Sequence, residues 1–350
     1  MDLTYLYNII PAGKGPDIDI AGLDQQKVRA ITHNNIAAVV GGSPLADYHG
    51  LDRQQAVRYL LAHQRVVEAV LRDHVVLPVK FGTVLPDEQR VCDLLTQGED
   101  LFCRAMDELA DQVQLEVIVL WNLQDVFKEV AEDEAVVQLK TQAAAQAQEE
   151  SLDGRIAVGK AVYDLLERRR STLRDAVISA LREMGGDLIV NPNMDDSMVA
   201  NLALLVGRDN CELLDQRLQT LDGQFEGLLN FRRIGPLPPC SFATVEIRVP
   251  VFEEVDKARR LLELGERHDR NGIKQAYRRL AGQIHPDICP DDSEADGLSS
   301  EIASAYRLLM SYADSASCSF GDGEPAVCGF DRQTVARTLM IGLRRQESQV

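Results

Sequence analysis

Residues 60–85, LLAHQRVVEAVLRDHVVLPVKFGTVL, contain the change of hydrophobic pattern that decides the fold of the N-terminal region. The first part, LLAHQRVVEAVLRD, predicts a helix, because its apolar residues recur at helical spacing. The second part, VVLPVKF, predicts a short strand that ends at Gly82 and Thr83. The helix side chains predicted to face inward are Leu60, Val67, Val70 and Leu71. A helix followed directly by a strand indicates a helix packed on a sheet.

Further strands and helices around this stretch predict an α+β sheet domain over residues 1–121. The strands are predicted at LTYLYNII, IAAVVGG, VVLPVKF and QLEVIVLW. A second helix is predicted to begin at Pro86, Asp87 and Glu88, since proline and acidic residues favour a first helical turn. Residues 122–185 contain no proline and predict a helical segment, an antiparallel pair broken near residues 151–154.

Residues 186–250 predict a second α+β domain. Its strands are predicted at DLIVN, MVANLALLVG, GLLNFRRIG and ATVEIRV, with a helix at RDNCELLDQRLQTLDGQF. The connection GPLPPCSF is too rich in proline for a helix or a central strand. This order of elements is compatible with a ferredoxin-like split βαβ domain, although the order alone does not define the topology.

The bulk composition is that of a globular protein with several domains. A chain of 350 residues is long enough for two or three hydrophobic cores. The formal net charge of -18 argues against nucleic acid and anionic membranes as partners. No apolar run approaches the roughly 20 residues that span a bilayer, and the N-terminus lacks the basic region of a signal peptide. Seven cysteines without a CxxC pair predict reduced thiols and a cytoplasmic location.

Three stretches of this chain together resemble the gas vesicle protein GvpF/GvpL family. They are YLYNII at residues 5–10, the segment at residues 60–85 and GPLPPCSF at residues 235–242. The resemblance implies two ferredoxin-like domains joined by helices. It also implies a minor or accessory protein of gas vesicle assembly that associates with the hydrophobic shell protein and other gas vesicle proteins. The family is not known for catalysis, so we expect no enzymatic activity.

The C-terminal region predicts a small all-α module over residues 254–314. Asn271 is predicted to cap a helix, and Glu301 to lie early in the facing antiparallel helix. The first helix has an apolar stripe of Ile273, Tyr277, Leu280 and Ile284, and the second has Ile302, Ala305, Tyr306 and Leu309. Lys274 and Arg278 lie four residues apart on another face, which suits an acidic partner.

This module resembles a J domain, which couples co-chaperones to DnaK-type chaperones. His285, Pro286 and Asp287 match the tripeptide by which J domains stimulate ATP hydrolysis in their partner. The resemblance therefore implies a chaperone-binding site formed by this tripeptide with Lys274 and Arg278. The neighbouring residues are Gln283, Ile284 and Ile288 where J domains usually have basic residues, which predicts weaker chaperone coupling. The alternative is a helical hairpin kept only for packing.

Residues 315–350 predict a glycine-bearing linker followed by a short amphipathic helix with Val335, Leu339 and either Ile341 or Leu343 inward. The sequence contains no GxxxxGK[ST] phosphate loop, HExxH motif or calcium loop. We therefore predict no catalytic residues, metal site or cofactor, and interpret His63 and His74 as packing or surface residues. One rival hypothesis is a co-chaperone whose N-terminal domains bind clients in general. The other is an enzyme with a cryptic site.

Overall fold

The computed structural model describes residues 3–13, 20–145, 152–283, 293–317 and 327–348. The chain divides into two compact units, and each contains an antiparallel sheet. The first unit comprises Met1–Glu108 with Ala243–Arg344, and the second comprises Leu109–Phe242 with Arg345–Val350. The predicted class, α+β followed by an all-α module, is confirmed.

The first unit begins with a sheet in the order β2-β3-β1-β4, with β5 also paired to β1. The strands are β1 (Thr4–Pro11), β2 (Arg29–His33), β3 (Ile36–Gly42), β4 (Leu77–Pro78) and β5 (Val84–Leu85). The helices are α1 (Arg53–Leu71) and α2 (Glu88–Glu108). The predicted strand VVLPVKF therefore contributes only the two residues of β4. No strand was predicted at β2, whose five residues are all exposed or partly exposed.

The central strands β1 and β3 are buried almost throughout, because a helix covers each face of the sheet. Tyr5 and Tyr7 pack with Val66 of α1 in one cluster. The helix α2 packs against β1, β2 and β3, and its buried side chains lie outside that cluster. Val67, Val70 and Leu71 face inward as predicted, but the prediction for Leu60 is wrong, since its side chain is 45% exposed.

The second unit contains a sheet in the order β7-β8-β6-β9, which is the order of a split βαβ domain. Its strands are β6 (Gln112–Trp121), β7 (Asp187–Asn191), β8 (Met198–Gly207) and β9 (Leu229–Leu237). Its helices are α3 (Leu123–Ala131), α4 (Glu134–Ala145), α5 (Leu152–Arg182) and α6 (Cys211–Gln224). The edge position of β9 accommodates Pro236, which lacks an N–H for a second ladder.

The strand β6, which was predicted in the first domain, belongs to the second unit in the structure. This strand pairs with β8 over nearly its whole length and with β9 on its other side. Its Val117 and Val119 share a hydrophobic core with Leu202 and Leu204. The boundary predicted at residue 121 thus falls at residue 108, because strand pairing with distant residues outweighs proximity in the chain. Residues 152–154, where a break between helices was predicted, belong to α5, and Ser151 lies outside the described residues.

The remaining elements of the first unit follow β10 (Thr244–Arg248). They are α7 (Phe252–Leu261), β11 (Arg267–His268), α8 (Arg270–Gln283), α9 (Ser293–Ser317), β12 (Cys328–Gly329), α10 (Arg332–Arg337) and β13 (Met340–Arg344). The predicted terminal helix is therefore only α10, followed by a strand. Val335 and Leu339 are buried as predicted.

The strand β10 also differs from its prediction as the last strand of the second domain. It pairs with β13, from Thr244 opposite Arg344 to Arg248 opposite Met340. A parallel bridge from Val79 to Val245 links it to the segment after β4. Two segments about 95 residues apart thus satisfy each other's backbone hydrogen bonds. This pairing makes residues 340–344 a strand, although their spacing predicted a helix.

Candidate functional site

The C-terminal module is built on the packed helices α7, α8 and α9. Its core includes Ile273 and Leu280 of α8 with Ile302 and Leu309 of α9. Tyr277 and Tyr306, whose ring centroids are 4.3 Å apart, stack beside this core. The predicted stripes are thus brought together, apart from Ile284, which lies outside the described residues.

The first turn of α8 is capped by Asp269 rather than by Asn271. The Gly272 N–H donates to the Asp269 carboxylate at 2.7 Å, and the Ile273 N–H donates to the Asp269 carbonyl at 3.2 Å. A carboxylate in this position also interacts favourably with the positive end of the helix dipole. The cap therefore stabilises the start of the helix that carries the predicted basic face.

The outward face of α8 presents two cations with no ion pair among the described residues. Arg270 and Arg279 on the same helix are neutralised, by Asp314 at 2.8 Å and by Glu263 at 2.7 Å. Arg278 is exposed and Lys274 is partly exposed, and neither has an acidic partner in the described ranges. The helix therefore offers a local positive field in a chain whose net charge is -18.

The predicted tripeptide His285, Pro286 and Asp287 lies outside the described residues. The structure therefore places Lys274 and Arg278 on one face and leaves their grouping with the tripeptide as a prediction. The described helices that flank the tripeptide are α8, ending at Gln283, and α9, beginning at Ser293.

Polar contacts connect the C-terminal elements to residues beside the first sheet within the same unit. Glu246 of β10 lies 3.1 Å from the Lys80 ammonium and 3.3 Å from the Arg344 guanidinium. Partial burial opposes ionisation, but hydrogen bonds and charge attraction from these two cations hold the pKa of Glu246 below its usual value. The Arg90 guanidinium donates to the Arg337 carbonyl at 2.9 Å and to the Ala336 carbonyl at 3.1 Å. No local sequence signal indicates these long-range contacts.

An aromatic cluster between α1 and the first sheet contains His63, the buried histidine of α1. The Tyr5 hydroxyl accepts the Gly82 N–H at 3.0 Å and lies 3.0 Å from His63 Nδ1. Because its oxygen accepts from Gly82, the Tyr5 O–H is free to donate to a neutral His63. Burial lowers the pKa of His63 to about 4. His63 is therefore a neutral packing residue at pH 7, in line with its interpretation from the sequence.

Comparison with known families identifies the larger part of the chain. A family model described as gas vesicle synthesis protein GvpL/GvpF matches residues 3–244. The chain belongs to the GvpL/GvpF family. A second model, described as the DnaJ domain, matches residues 260–316, which include α8 and most of α9. A DnaJ domain thus follows the GvpL/GvpF region in one chain.

Individual relatives agree with both assignments. Gas vesicle protein F of Streptomyces sp. (strain CB03234) is 26% identical over 217 residues, covering 62% of this chain and 88% of that protein. Chaperone protein DnaJ of Finegoldia magna is 47% identical over 49 residues, which cover 14% of this chain and 13% of that protein. The crystal structure of GvpF from Anabaena sp. PCC7120 shares the fold, with a TM-score of 0.58 at 21% identity over 68% of this chain and 97% of that one.

The C-terminal module has a groove that is separate from the basic face of α8. It has a volume of about 330 Å³ and lies between α7 and α9. Its lining includes the apolar residues Ala258, Leu261, Ala305 and Leu308 and no residue of α8. The cations of α8 therefore form a surface of their own.

The described residues offer neither a membrane-spanning helix nor a cluster of metal ligands. No helix in these ranges combines the length and the apolar character that crossing a membrane requires. Within the same part of the chain, no group of three or more histidine, cysteine, aspartate or glutamate side chains is placed to hold a metal ion.

Proposed function

We propose that this member of the GvpL/GvpF family is a non-enzymatic accessory protein of gas vesicle assembly. Its GvpL/GvpF region binds the hydrophobic shell protein, and its DnaJ domain recruits a DnaK-type chaperone. One observation carries this proposal, the presence of a GvpL/GvpF region and a DnaJ domain in one chain. The proposed place of action is the gas vesicle or its assembly site in the cytoplasm.

The physical need for such a protein follows from the chemistry of the shell. A subunit that builds a gas-facing wall exposes apolar surface before it is assembled, and such surface promotes aggregation. An accessory protein that covers this surface keeps the subunit available for assembly. A chaperone recruited to the same place rescues subunits that have begun to associate wrongly.

The electrostatics of α8 support the chaperone half of the proposal. Lys274 and Arg278 have no acidic partner among the described residues, so they are available to an acidic surface of another protein. Charge pairs of this kind increase association rates and weaken as salt is added. In this proposal His285, Pro286 and Asp287 stimulate the chaperone, while the two cations of α8 guide it into place.

The chaperone half is tested by the ATPase rate of purified DnaK with the full chain. The wild type should stimulate the rate, and His285→Gln should abolish the stimulation. Lys274→Glu with Arg278→Glu should raise the protein concentration needed for half-maximal stimulation about tenfold or more at low salt, which corresponds to about 1.4 kcal/mol.

The matched control is Lys128→Glu with Lys140→Glu, which makes the same charge change on α3 and α4. We expect it to leave stimulation unchanged. Wild-type protein without any effect on the DnaK rate would refute chaperone recruitment. Equal stimulation by both double variants would refute the role of the α8 face.

The shell half is tested by a pull-down with the purified shell protein on a soluble carrier. The full chain should retain the shell protein and should not retain the carrier alone. A protein that stimulates DnaK and binds an unfolded model client as well as the shell protein would instead be a general co-chaperone.

A further inference from the structure

The helix α1 carries a second apolar face that the fold leaves uncovered. Val57, Leu60 and Leu61 are 49%, 45% and 57% exposed. Their spacing of three and four residues places them side by side on the helix surface. We call these three residues the α1 patch.

The α1 patch is distinct from the face of α1 that builds the core. The buried side chains of this helix are Tyr59, His63, Val66, Val67, Val70 and Leu71. They occupy the face toward Tyr5 and Tyr7 of the sheet. About half of the surface of each patch residue therefore remains in contact with water and can be buried by a partner.

On the other described helices, no two of the large exposed apolar side chains lie within one turn of each other. Phe127 on α3 and Leu213 on α6 occur singly, and Ile156 and Tyr163 on α5 are seven residues apart. Scattered apolar residues are normal on a protein surface, whereas adjacent ones indicate an interaction site.

Two arginines border the patch. Arg53 precedes Val57 by one helical turn, and Arg65 follows Leu61 by one turn, so both lie near the same face. Neither arginine has an ion pair in the described parts of the chain, whereas Arg58 between them is paired with Asp24. The surface is thus an apolar centre with a cation at each end, and its complement is an apolar surface with carboxylates at its borders.

We propose that the α1 patch is the docking surface for an amphipathic helix of the gas vesicle shell protein, a helix whose apolar side is bordered by carboxylates. This inference rests on the proposed function, from which it takes the identity of the partner. The three apolar side chains pack between residues of the partner helix. Arg53 and Arg65 pair with its carboxylates and set its direction along α1.

The test measures the affinity of the full chain for the shell protein on a soluble carrier. Leu60→Gln with Leu61→Gln should weaken binding at least about tenfold. Arg53→Glu with Arg65→Glu should also weaken binding, and should remove most of its dependence on salt. Leu213→Gln, at a residue that is 52% exposed on α6, is the matched control and should bind like the wild type.

The outcomes separate this inference from the proposed function. If both double variants bind the shell protein as tightly as the wild type does, the α1 patch is not the docking surface, and the proposed function still holds. Wild-type protein that fails to bind the shell protein would overturn both. Because all five substituted residues are exposed, thermal unfolding of each variant should match the wild type, and loss of binding then reports on the surface.

Discussion

The helices α1 and α8 are built alike on the inside and differently on the outside. Each begins after an aspartate cap, Asp52 for α1 and Asp269 for α8, and each buries one apolar stripe. The outward face of α1 carries the apolar α1 patch, whereas that of α8 carries Lys274 and Arg278. The inward stripe of an amphipathic helix thus accounts for its place in the fold, and its outward face indicates the chemistry of a partner.

This difference also separates the two binding proposals. An apolar patch suits the slow, area-dependent capture of a hydrophobic subunit, whereas a basic face suits rapid and salt-dependent encounter with a chaperone. The two surfaces lie on helices of one compact unit. The comparison predicts that substitutions on the inward faces change stability and that those on the outward faces change binding.

The largest expected effect is on the inward faces. Leu71→Ala on α1 and Ile273→Ala on α8 should each lower the free energy of unfolding by about 2–5 kcal/mol, because each removes buried methyl groups and leaves a cavity. Leu60→Ala, the control on the exposed face, should change it by less than about 0.5 kcal/mol. Urea unfolding followed by circular dichroism measures all three. A loss for Leu60→Ala as large as that for Leu71→Ala would contradict the division of α1 into two faces.

The second effect concerns pH and distinguishes the two helices, since α1 alone of the pair has a buried histidine. Burial lowers the pKa of His63 from 6.5 to about 4, so the unfolded chain binds a proton more readily than the folded one between these values. The contribution of His63 is therefore fully present above pH 6.5 and is lost as pH falls to about 4. The loss amounts to at most about 3 kcal/mol.

The measurement for His63 is the free energy of unfolding across this pH range in the wild type and in His63→Gln. Carboxylates titrate in both proteins, so the difference between the two curves isolates the histidine. We expect the free energy of unfolding of the wild type to fall relative to that of His63→Gln as the pH is lowered from 6.5 to 4. Parallel curves would show that His63 is not held neutral in the folded protein.

The smallest expected effect is on the caps, where the two helices should behave alike. Asp52→Ala and Asp269→Ala should each lower the free energy of unfolding by about 1 kcal/mol, because each leaves a backbone N–H near the helix start without its side-chain acceptor. Asp→Asn at either position should restore most of the stability, since asparagine is an equally good cap. Thermal unfolding of the four variants measures the effect, and an Asp269→Ala variant as stable as the wild type would remove Asp269 as the cap of α8.

The sequence patterns were most informative where contacts are local. The stripes of Ile273 with Leu280 and of Ile302 with Leu309 predicted the helices of the DnaJ domain, because residues one turn apart share a face whatever the rest of the chain does. The strands β1 and β3 were predicted for a similar reason. Leu60 was misassigned because periodicity shows that a helix has an apolar side and does not show how wide the covered part is.

The candidate site was predictable only in part. Lys274 and Arg278 follow from their spacing, but their lack of acidic partners in the described residues depends on which neighbours neutralise Arg270 and Arg279. The α1 patch has no signal of its own in the sequence, since an exposed leucine and a buried leucine are the same letter. Only the exposed area of each side chain distinguishes them.

The sequence by itself determined the helices with clear stripes and the strands β1 and β3, since these depend on spacing along the chain, and its resemblances indicated the GvpL/GvpF and DnaJ regions. Only the tertiary structure decided that β6 belongs to the second sheet, that residues after Leu339 form a strand with β10, and that Leu60 faces outward. The physical reason is common to all three. The partners of backbone hydrogen bonds and the residues that bury a side chain lie far away in the chain. A local sequence pattern does not indicate which distant residues these are.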